Sequence, residues 1–121
     1  MSKAKRTIEQ YTYDIIECIY ELKETVEKFS IDDIYENKYV QAFIDRNFQI
    51  IGEAISKIDH LDREILSKVK DDASYWEQIK GTRHIIVHEY FNTRTDILYE
   101  ISKSELDELL TYVLQIRELS K

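Results

Sequence analysis

The sequence predicts an all-α protein, an antiparallel bundle of about four to five helices. Its 121 residues include no proline and only two glycines, so residues that interrupt helices are rare. Apolar residues recur at steps of three and four along most of the chain, which is the spacing of one helix face. No segment shows the alternation of apolar and polar residues that indicates a half-buried strand. We therefore expect long helices joined by short polar turns.

The first predicted helix begins near Ile8 and ends near Ser30. Its apolar residues are separated by steps of three or four, and they are Ile8, Tyr11, Ile15, Ile19, Leu22, Val26 and Phe29. Residues 31–37 are expected to form a connection that contains one short turn at most.

A second long helix is predicted by an apolar stripe that begins at Val40 and ends at Leu61. The stripe consists of Val40, Phe43, Asn47, Ile50, Ile51, Ala54, Ile58 and Leu61. A polar side chain on a buried stripe must find a hydrogen-bond partner or line a site. Asn47 lies on this stripe and Arg46 lies beside it, so both are candidates either to support a functional site or to pair with a neighbouring helix.

In the second half of the chain, the residue pattern predicts shorter helices. Residues 62–72 are charged and weakly patterned, so we expect a short helix or a loop there. Ser74 is the expected N-cap of a third helix, because Glu77 follows it at capping-box spacing. This helix is expected to continue through Gly81 into the residues that follow.

Two further helices are predicted near the C-terminus. A short one is expected from Asp96 to about residue 102, with Thr93 or Thr95 as its cap. Ser104 begins the capping signal of the last helix, whose apolar stripe is Leu106, Leu109, Leu110, Val113 and Ile116. Residues 1–121 are expected to form one domain, because this length is typical of a single domain with its own core.

Composition indicates a soluble cytoplasmic protein. The N-terminus lacks an apolar core of signal-peptide length, and no apolar run approaches the roughly 18 residues that span a bilayer. The one cysteine, Cys18, excludes an intrachain disulfide and a cysteine-based zinc site. We expect Cys18 to be a small buried apolar group.

Charge is distributed unevenly along the chain. The net charge is −7 and the pI about 5.0, so the average surface repels nucleic acid. Residues 78–94, however, contain Lys80, Arg83 and Arg94 against Glu89 alone, a net charge of +2, which leaves −9 for the rest of the chain. A cationic stretch on an acidic protein fits one confined anionic ligand better than a broad nucleic-acid-binding face.

The stretch GTRHIIVHEYF, residues 81–91, holds two of the three histidines of the chain. On a regular helix, Arg83 and Tyr90 fall about 20° apart, whereas Arg83 and His88 diverge by about 140°. A single regular helix therefore does not aim both at one atom. Either the helix ends or distorts near His88, or a second copy of the chain completes the site, which points to an oligomer.

The spacing of three residues in this stretch matches the signature of the HEPN superfamily. Four residues separate Arg83 from His88, and one residue separates His88 from Tyr90. The chain most resembles the HepT-like ribonuclease toxins. RNFQIIGEA at residues 46–54 is similar to the family's second helix, and YWEQIKG at residues 75–81 is similar to the approach to its site. HEYF at residues 88–91, followed by an Asp-Ile-Leu helix, is similar to the segment that follows the site in this family. The position after the arginine is often asparagine or aspartate in relatives, and here it is His84.

The resemblance implies a homodimer of helical bundles with a composite site at the dimer interface. It implies RNA cleavage without a metal, with Arg83 and His88 as catalytic residues. We expect His84 to orient the site or to assist proton transfer, and Arg46 and Asn47 stay candidates for supporting roles. It further implies a type VII-like toxin–antitoxin pair. The partner would be a minimal nucleotidyltransferase antitoxin that transfers AMP from ATP to Tyr90.

These residue types suit that chemistry. Histidine titrates near neutral pH and can act as general base or acid, while arginine stays charged and binds phosphate through paired donors. AMP on Tyr90 would add bulk and negative charge where an RNA phosphate must lie.

Other interpretations of the stretch remain open. His84 and His88 have the spacing of two metal ligands, although a third ligand is supplied only by Glu89, if at all. Ile85, Ile86 and Val87 are expected to be core residues. The chain could instead be a non-catalytic binding module that docks a nucleotidyltransferase and presents a phosphate group to it, or a structural helical dimer.

Overall fold

A computed structural model describes residues 5–81 and 94–121. Within those residues the chain forms seven helices and no strand: α1 (Ile8–Lys28), α2 (Ile31–Tyr35), α3 (Lys38–Leu61), α4 (Ile65–Val69), α5 (Ala73–Gly81), α6 (Arg94–Ser104) and α7 (Leu106–Leu119). The predicted all-α class is confirmed. The number of helices exceeds the predicted four to five, mainly because α2 and α4 are five-residue helices too short for apolar periodicity to reveal.

Side-chain caps fix the ends of the first three helices. Thr7 and Gln10 form a capping box at the start of α1, and Ser30 and Asp33 form another at the start of α2. The predicted end of the first helix near Ser30 is thus confirmed, since Ser30 begins the next helix. Asn37 caps α3, because its Oδ1 accepts hydrogen bonds from the backbone N–H groups of the following turn.

The predicted caps of two later helices are wrong. α5 begins one residue earlier than Ser74, and the backbone N–H of Tyr75 donates instead to Oδ1 of Asp72 at 3.1 Å. Ser104 is the last residue of α6, where its hydroxyl donates to the carbonyl of Glu100 at 2.8 Å. α7 begins without a side-chain cap. The fourth predicted helix, α6, begins at Arg94 rather than at residue 96, which places Thr95 inside it, while Thr93 lies outside the described residues.

α1 lies at the centre of the bundle, where it packs against α3, α6 and α7. Two contacts show that α1 and α7 are antiparallel, as predicted. Lys23 near the end of α1 pairs with Asp107 at the start of α7, and Arg117 near the end of α7 donates to the hydroxyl of Tyr13 at 2.6 Å. The apolar stripes predicted for these two helices supply much of the core: Ile15, Ile19, Leu22, Leu106, Leu109, Val113 and Ile116 are buried.

The buried stripe of α3 differs in part from the predicted one. Phe43 is 40% exposed, whereas Ile44, Phe48 and Ile55, which the prediction omitted, are buried. The reason is that α3 packs on α1 along one side and on α5 along another, so its buried face is broader than one stripe.

None of the described helices combines the length and the apolar composition that crossing a membrane requires.

Candidate active site

The four residues predicted to carry the chemistry, Arg83, His84, His88 and Tyr90, lie outside the described residues. The structure does describe where the chain enters and leaves their stretch, which comprises residues 82–93. α5 ends at Gly81 immediately before it, and α6 begins at Arg94 immediately after it. The surroundings of these two points define the frame of the candidate site.

The entry point lies against the middle of α3, at Gly52. A Cβ atom at this position would be 3.0 Å from the carbonyl oxygen of Lys80 and 3.3 Å from that of Ile79. Both atoms belong to the backbone, so they cannot be moved aside as a flexible side chain could. The missing side chain of Gly52 therefore allows the last turn of α5 to approach the backbone of α3 closely.

An ion pair joins the same two helices. Nζ of Lys80 lies 2.8 Å from Oδ2 of Asp59 in α3, and each of the two side chains is only 20% exposed. The Asp59 carboxylate also lies 3.4 Å from Arg63. Lys80, counted from the sequence among the cations of the candidate site, is thus engaged in holding α5 on α3.

Aromatic packing holds the other end of α5. Nε1 of Trp76 donates to the carbonyl oxygen of Lys70 at 2.9 Å, and the rings of Tyr75, Trp76 and Tyr112 pack edge to face. The ammonium group of Lys70 lies about 5 Å from the ring centroids of Tyr75 and Tyr112. Burial, and then the carboxylate of Glu108, raises the pKa of Tyr75, so this ring stays neutral at physiological pH.

The exit point lies against the first half of α3. A cavity between α3 and the start of α6 is lined by Lys38, Gln41, Ala42, Ile44, Asp45, Thr95 and Leu98. Next to it, the hydroxyl of Tyr35 in α2 donates to the carboxylate of Asp96 in α6. This hydrogen bond raises the pKa of Tyr35 to about 12. Both ends of the cationic stretch are therefore held on α3.

The two supporting residues predicted on α3 occupy different environments. Asn47 is 3% exposed, and its Nδ2 donates to the carbonyl oxygen of Phe43 at 2.9 Å. This partner satisfies the requirement that a polar group on the buried stripe must meet. Arg46 is exposed, and its charge acts on Cys18 of α1.

Cys18 is buried, as the sequence predicts. Burial raises the pKa of its thiol to about 12, the carboxylates of Glu21, Glu17 and Asp14 add to the rise, and Arg46 opposes it. The thiol is therefore protonated at neutral pH and is a poor nucleophile. Within residues 5–81 and 94–121, no group of three or more histidine, cysteine, aspartate or glutamate side chains could hold a metal ion.

Sequence reasoning did not single out Gly52 or Asp45, which mark the entry and exit points on α3. Their separation of seven residues was the available signal, because it places them about 20° apart on one helix face. Without knowledge of which elements pack on α3, that spacing has no evident meaning.

Comparisons with known proteins identify the family of the chain. The family model described as "Ribonuclease HepT-like" matches residues 15–116. The chain is 32% identical over 105 residues to Putative RNase TTE0752 of Caldanaerobacter subterraneus subsp. tengcongensis, covering 87% of this chain and 88% of the relative. It is 27% identical over 106 residues to Putative RNase MJ1380 of Methanocaldococcus jannaschii, covering 88% and 93%.

A third relative is Probable ribonuclease HepT of Thermococcus cleftensis, which is 25% identical over 105 residues, covering 87% of this chain and 91% of the relative. No solved structure matches the chain. The matched region begins within α1, ends within α7 and includes both helices that flank the cationic stretch. The chain therefore belongs to the Ribonuclease HepT-like family.

Proposed function

We propose that this protein is an endoribonuclease that cleaves RNA without a metal ion and serves as the toxin of a toxin–antitoxin pair. Its membership of the Ribonuclease HepT-like family, together with the Arg83, His88 and Tyr90 spacing, is the observation that carries the proposal. The names of the three relatives, each called an RNase or ribonuclease, support it. We take residues 1–121 as one domain that acts in the cytoplasm.

The proposed reaction uses the 2′-hydroxyl of the RNA as its nucleophile. The 2′-oxygen forms a bond to phosphorus while the bond to the 5′-oxygen breaks, so the products are a 2′,3′-cyclic phosphate and a 5′-hydroxyl end. His88 removes the proton of the nucleophile or supplies one to the leaving oxygen. Arg83 stabilises the negative charge on the phosphoryl oxygens, and His84 assists in orienting the site.

We further propose that the active unit is a homodimer. Arg83 and His88 diverge by about 140° on a regular helix, so two copies that face each other can supply the complementary groups to one phosphate. Arg46 is exposed on α3 and adds positive charge to an otherwise acidic chain. Because the cationic region is small, cleavage is expected to weaken strongly as salt concentration rises.

Inhibition in this proposal is covalent. A minimal nucleotidyltransferase antitoxin transfers AMP from ATP to Tyr90, which forms a bond between the phenolic oxygen and the α-phosphorus and releases pyrophosphate. The attached phosphate then repels RNA at the site. Incubation with the partner and ATP should raise the mass of the peptide that carries Tyr90, and Tyr90→Phe should prevent that increase. An unchanged mass of the wild-type peptide would contradict this part of the proposal.

The central test is cleavage of total cellular RNA by the partner-free protein in EDTA. Wild type should cleave, and Arg83→Ala and His88→Ala should each lose cleavage by about 100-fold or more, the range of general acid–base catalysis. His60→Ala and Arg63→Ala are matched controls, because both side chains are exposed near the far end of α3, and they should retain full activity.

Two outcomes would redirect the proposal. Loss of activity in the control variants would show that the assay reports folding rather than chemistry. A wild-type protein that binds the nucleotidyltransferase but leaves RNA intact would favour the non-catalytic binding module.

A further inference from the structure

α3 carries a second stripe of residues, which points away from the core. Its members follow one another at steps of four and three, and they are Tyr39, Phe43, Arg46, Ile50, Glu53 and Lys57. Five of them are exposed, and Ile50 is half-buried. On a regular helix all six lie within about 40° of Tyr39, along about 27 Å of the helix axis. We call these six residues the outer stripe of α3.

The outer stripe exposes apolar side chains to solvent. Tyr39 is 83% exposed and Phe43 is 40% exposed, although the other side of the same helix buries Ile44 and Phe48. A groove between the end of α1 and the start of α3 continues this surface, and it is lined by Glu24, Thr25, Lys28, Phe29, Tyr39, Val40 and Phe43. Apolar surface that is bordered by charged side chains is typical of protein–protein contacts.

The charged residues of the outer stripe are unpaired within the chain. Among residues 5–81 and 94–121, Arg46, Glu53 and Lys57 form no ion pair. Cations on other helices do pair, for example Lys23 with Asp107. The outer stripe therefore offers two cations and one carboxylate to a partner from outside the chain.

A second copy of the outer stripe complements the first when the two α3 helices run antiparallel. A twofold axis that passes near residue 48 places Tyr39 opposite Lys57 of the partner subunit at each end of the stripe. A cation over an aromatic ring is an attractive contact. Two helices that cross at about 20° from antiparallel remain in contact over this length.

The middle of the stripe is complementary as well. Arg46 lies about 4.5 Å along the axis from the partner's Glu53, within reach of an arginine side chain, and Phe43 has the same offset from the partner's Ile50. A twofold axis keeps each edge of the stripe on one side of the interface. The ion pairs therefore fall along one edge, and the apolar pairs fall along the other.

We propose that the outer stripe of α3 is the surface through which two copies of this chain form a homodimer. This inference rests on the proposed function, because it names the contact surface of the homodimer proposed there. The ion pairs of Arg46 with the partner's Glu53 fix the antiparallel register, and the apolar edge supplies the buried surface. Each interaction is formed twice, since the interface is isologous.

The arrangement also relates the two candidate sites to each other. Asp45 and Gly52, which mark the exit and entry points on α3, lie about 100° and 120° from Arg46 around the helix. Both are displaced toward the edge that carries the ion pairs. Because the twofold axis keeps that edge on one side, the frames of both candidate sites lie on the same side of the dimer.

The test measures the mass of the full chain in solution by sedimentation equilibrium, without RNA. Wild type should sediment at twice the 14.5 kDa of one chain. Arg46→Glu and Glu53→Arg should each raise the dissociation constant of the dimer by about 10-fold or more, because each places like charges together across the interface. The double variant reverses every pair, so it should return to within about threefold of wild type.

Three further variants accompany these measurements. Lys68→Glu and Glu118→Arg make the same charge reversals at exposed positions of α4 and α7 and should leave the dissociation constant unchanged. Phe43→Glu should give a monomer, because it places a charge on the apolar edge. Its circular dichroism should equal that of wild type, since Phe43 lies outside the buried core.

A monomeric wild type, single reversals that leave the dimer intact, or a double variant that stays monomeric would each overturn the proposal. So would a stripe that binds RNA through its cations, in which case Glu53→Arg would strengthen RNA binding without changing the sedimentation mass.

The readout needs no RNA cleavage, so this proposal and the nuclease function can fail separately. If the dimer responds to the variants as expected but leaves RNA intact, the nuclease function is wrong and the interface stands. If a monomeric wild type cleaves RNA, the interface is wrong and the nuclease function stands.

Discussion

Replacing Gly52 by alanine should weaken the packing of α5 on α3. Two energetic terms oppose each other in this substitution. Alanine inside a helix is favoured over glycine by about 1 kcal/mol. Against this, the added Cβ would meet two backbone carbonyl oxygens at 3.0 and 3.3 Å, where ordinary contacts begin at 3.4 Å, so the last turn of α5 must retreat by about 0.4 Å.

The steric term is expected to exceed the helix-propensity term. Overpacking a well-packed contact costs about 1–3 kcal/mol, so the free energy of unfolding of Gly52→Ala should fall by about 1 kcal/mol after the propensity gain is subtracted. Gly81→Ala is the matched control, because it makes the same chemical change with no atom within 4 Å of the new Cβ. It should leave stability unchanged or raise it by up to about 1 kcal/mol.

Urea unfolding of both variants, followed by circular dichroism at one protein concentration, measures the difference directly. We expect Gly52→Ala to be less stable than Gly81→Ala by about 1–3 kcal/mol, because the propensity terms largely cancel between the two variants. RNA cleavage by folded Gly52→Ala should also decrease, since α5 leads directly into Arg83. If the two variants unfold within about 0.5 kcal/mol of each other, the steric reasoning is refuted.

Three further predictions concern groups outside the stretch. The pKa of Tyr35 is raised to about 12 from an ordinary 10.0, so the folded protein favours the neutral phenol. The free energy of unfolding should therefore decrease as pH rises from 10 to 12. Asp96→Asn should reduce this decrease in unfolding experiments at each pH. The thiol of Cys18 should not react with Ellman's reagent at pH 8 in the folded protein and should react in urea; fast reaction without denaturant would contradict its burial. A double-mutant cycle with Lys80→Met and Asp59→Asn should give a coupling energy of about 1 kcal/mol, and zero coupling would show that solvent screens this pair fully.

Much of the fold could be predicted from the sequence because α1 and α7 bury one face each. Ile15, Ile19 and Leu22 are spaced for a single stripe, and the structure buries all three. α3 was less predictable, since it contacts α1 and α5 on different sides. Periodicity cannot choose between Phe43 and Ile44 for such a helix, and the chain buries Ile44.

Helix caps were the least predictable local feature. Ser74 and Asp72 both lie where a cap could stabilise the start of α5, and the carboxylate of Asp72 takes the role. Ser104 has the spacing of a cap, yet α6 continues through it. Both differences arise because several hydrogen-bonding side chains compete within one turn, and tertiary packing decides the outcome.

For the candidate site, the sequence predicted the chemistry and the structure adds the frame around it. The arginine–histidine spacing singled out residues 83–90, which remain a prediction. The contribution of α3 could not be predicted, since it depends on which face of that helix receives α5 and α6. Only the close contact of Gly52 with Lys80, and the cavity that Asp45 lines beside Thr95, show that these two residues border the candidate site.

The antiparallel pairing of α1 with α7 bears on when the protein becomes active during its synthesis. The side chains of α1 are buried against helices from the middle and the end of the chain, and Lys23 and Tyr13 find their partners on α7. A ribosome makes α1 first, so these contacts cannot form until α7 has emerged. Such long-range contacts delay folding until most of the chain is available. A chain that stops before α7 would thus lack a stable core, and a nuclease built in this way would not cleave RNA near the ribosome before α7 has been synthesised.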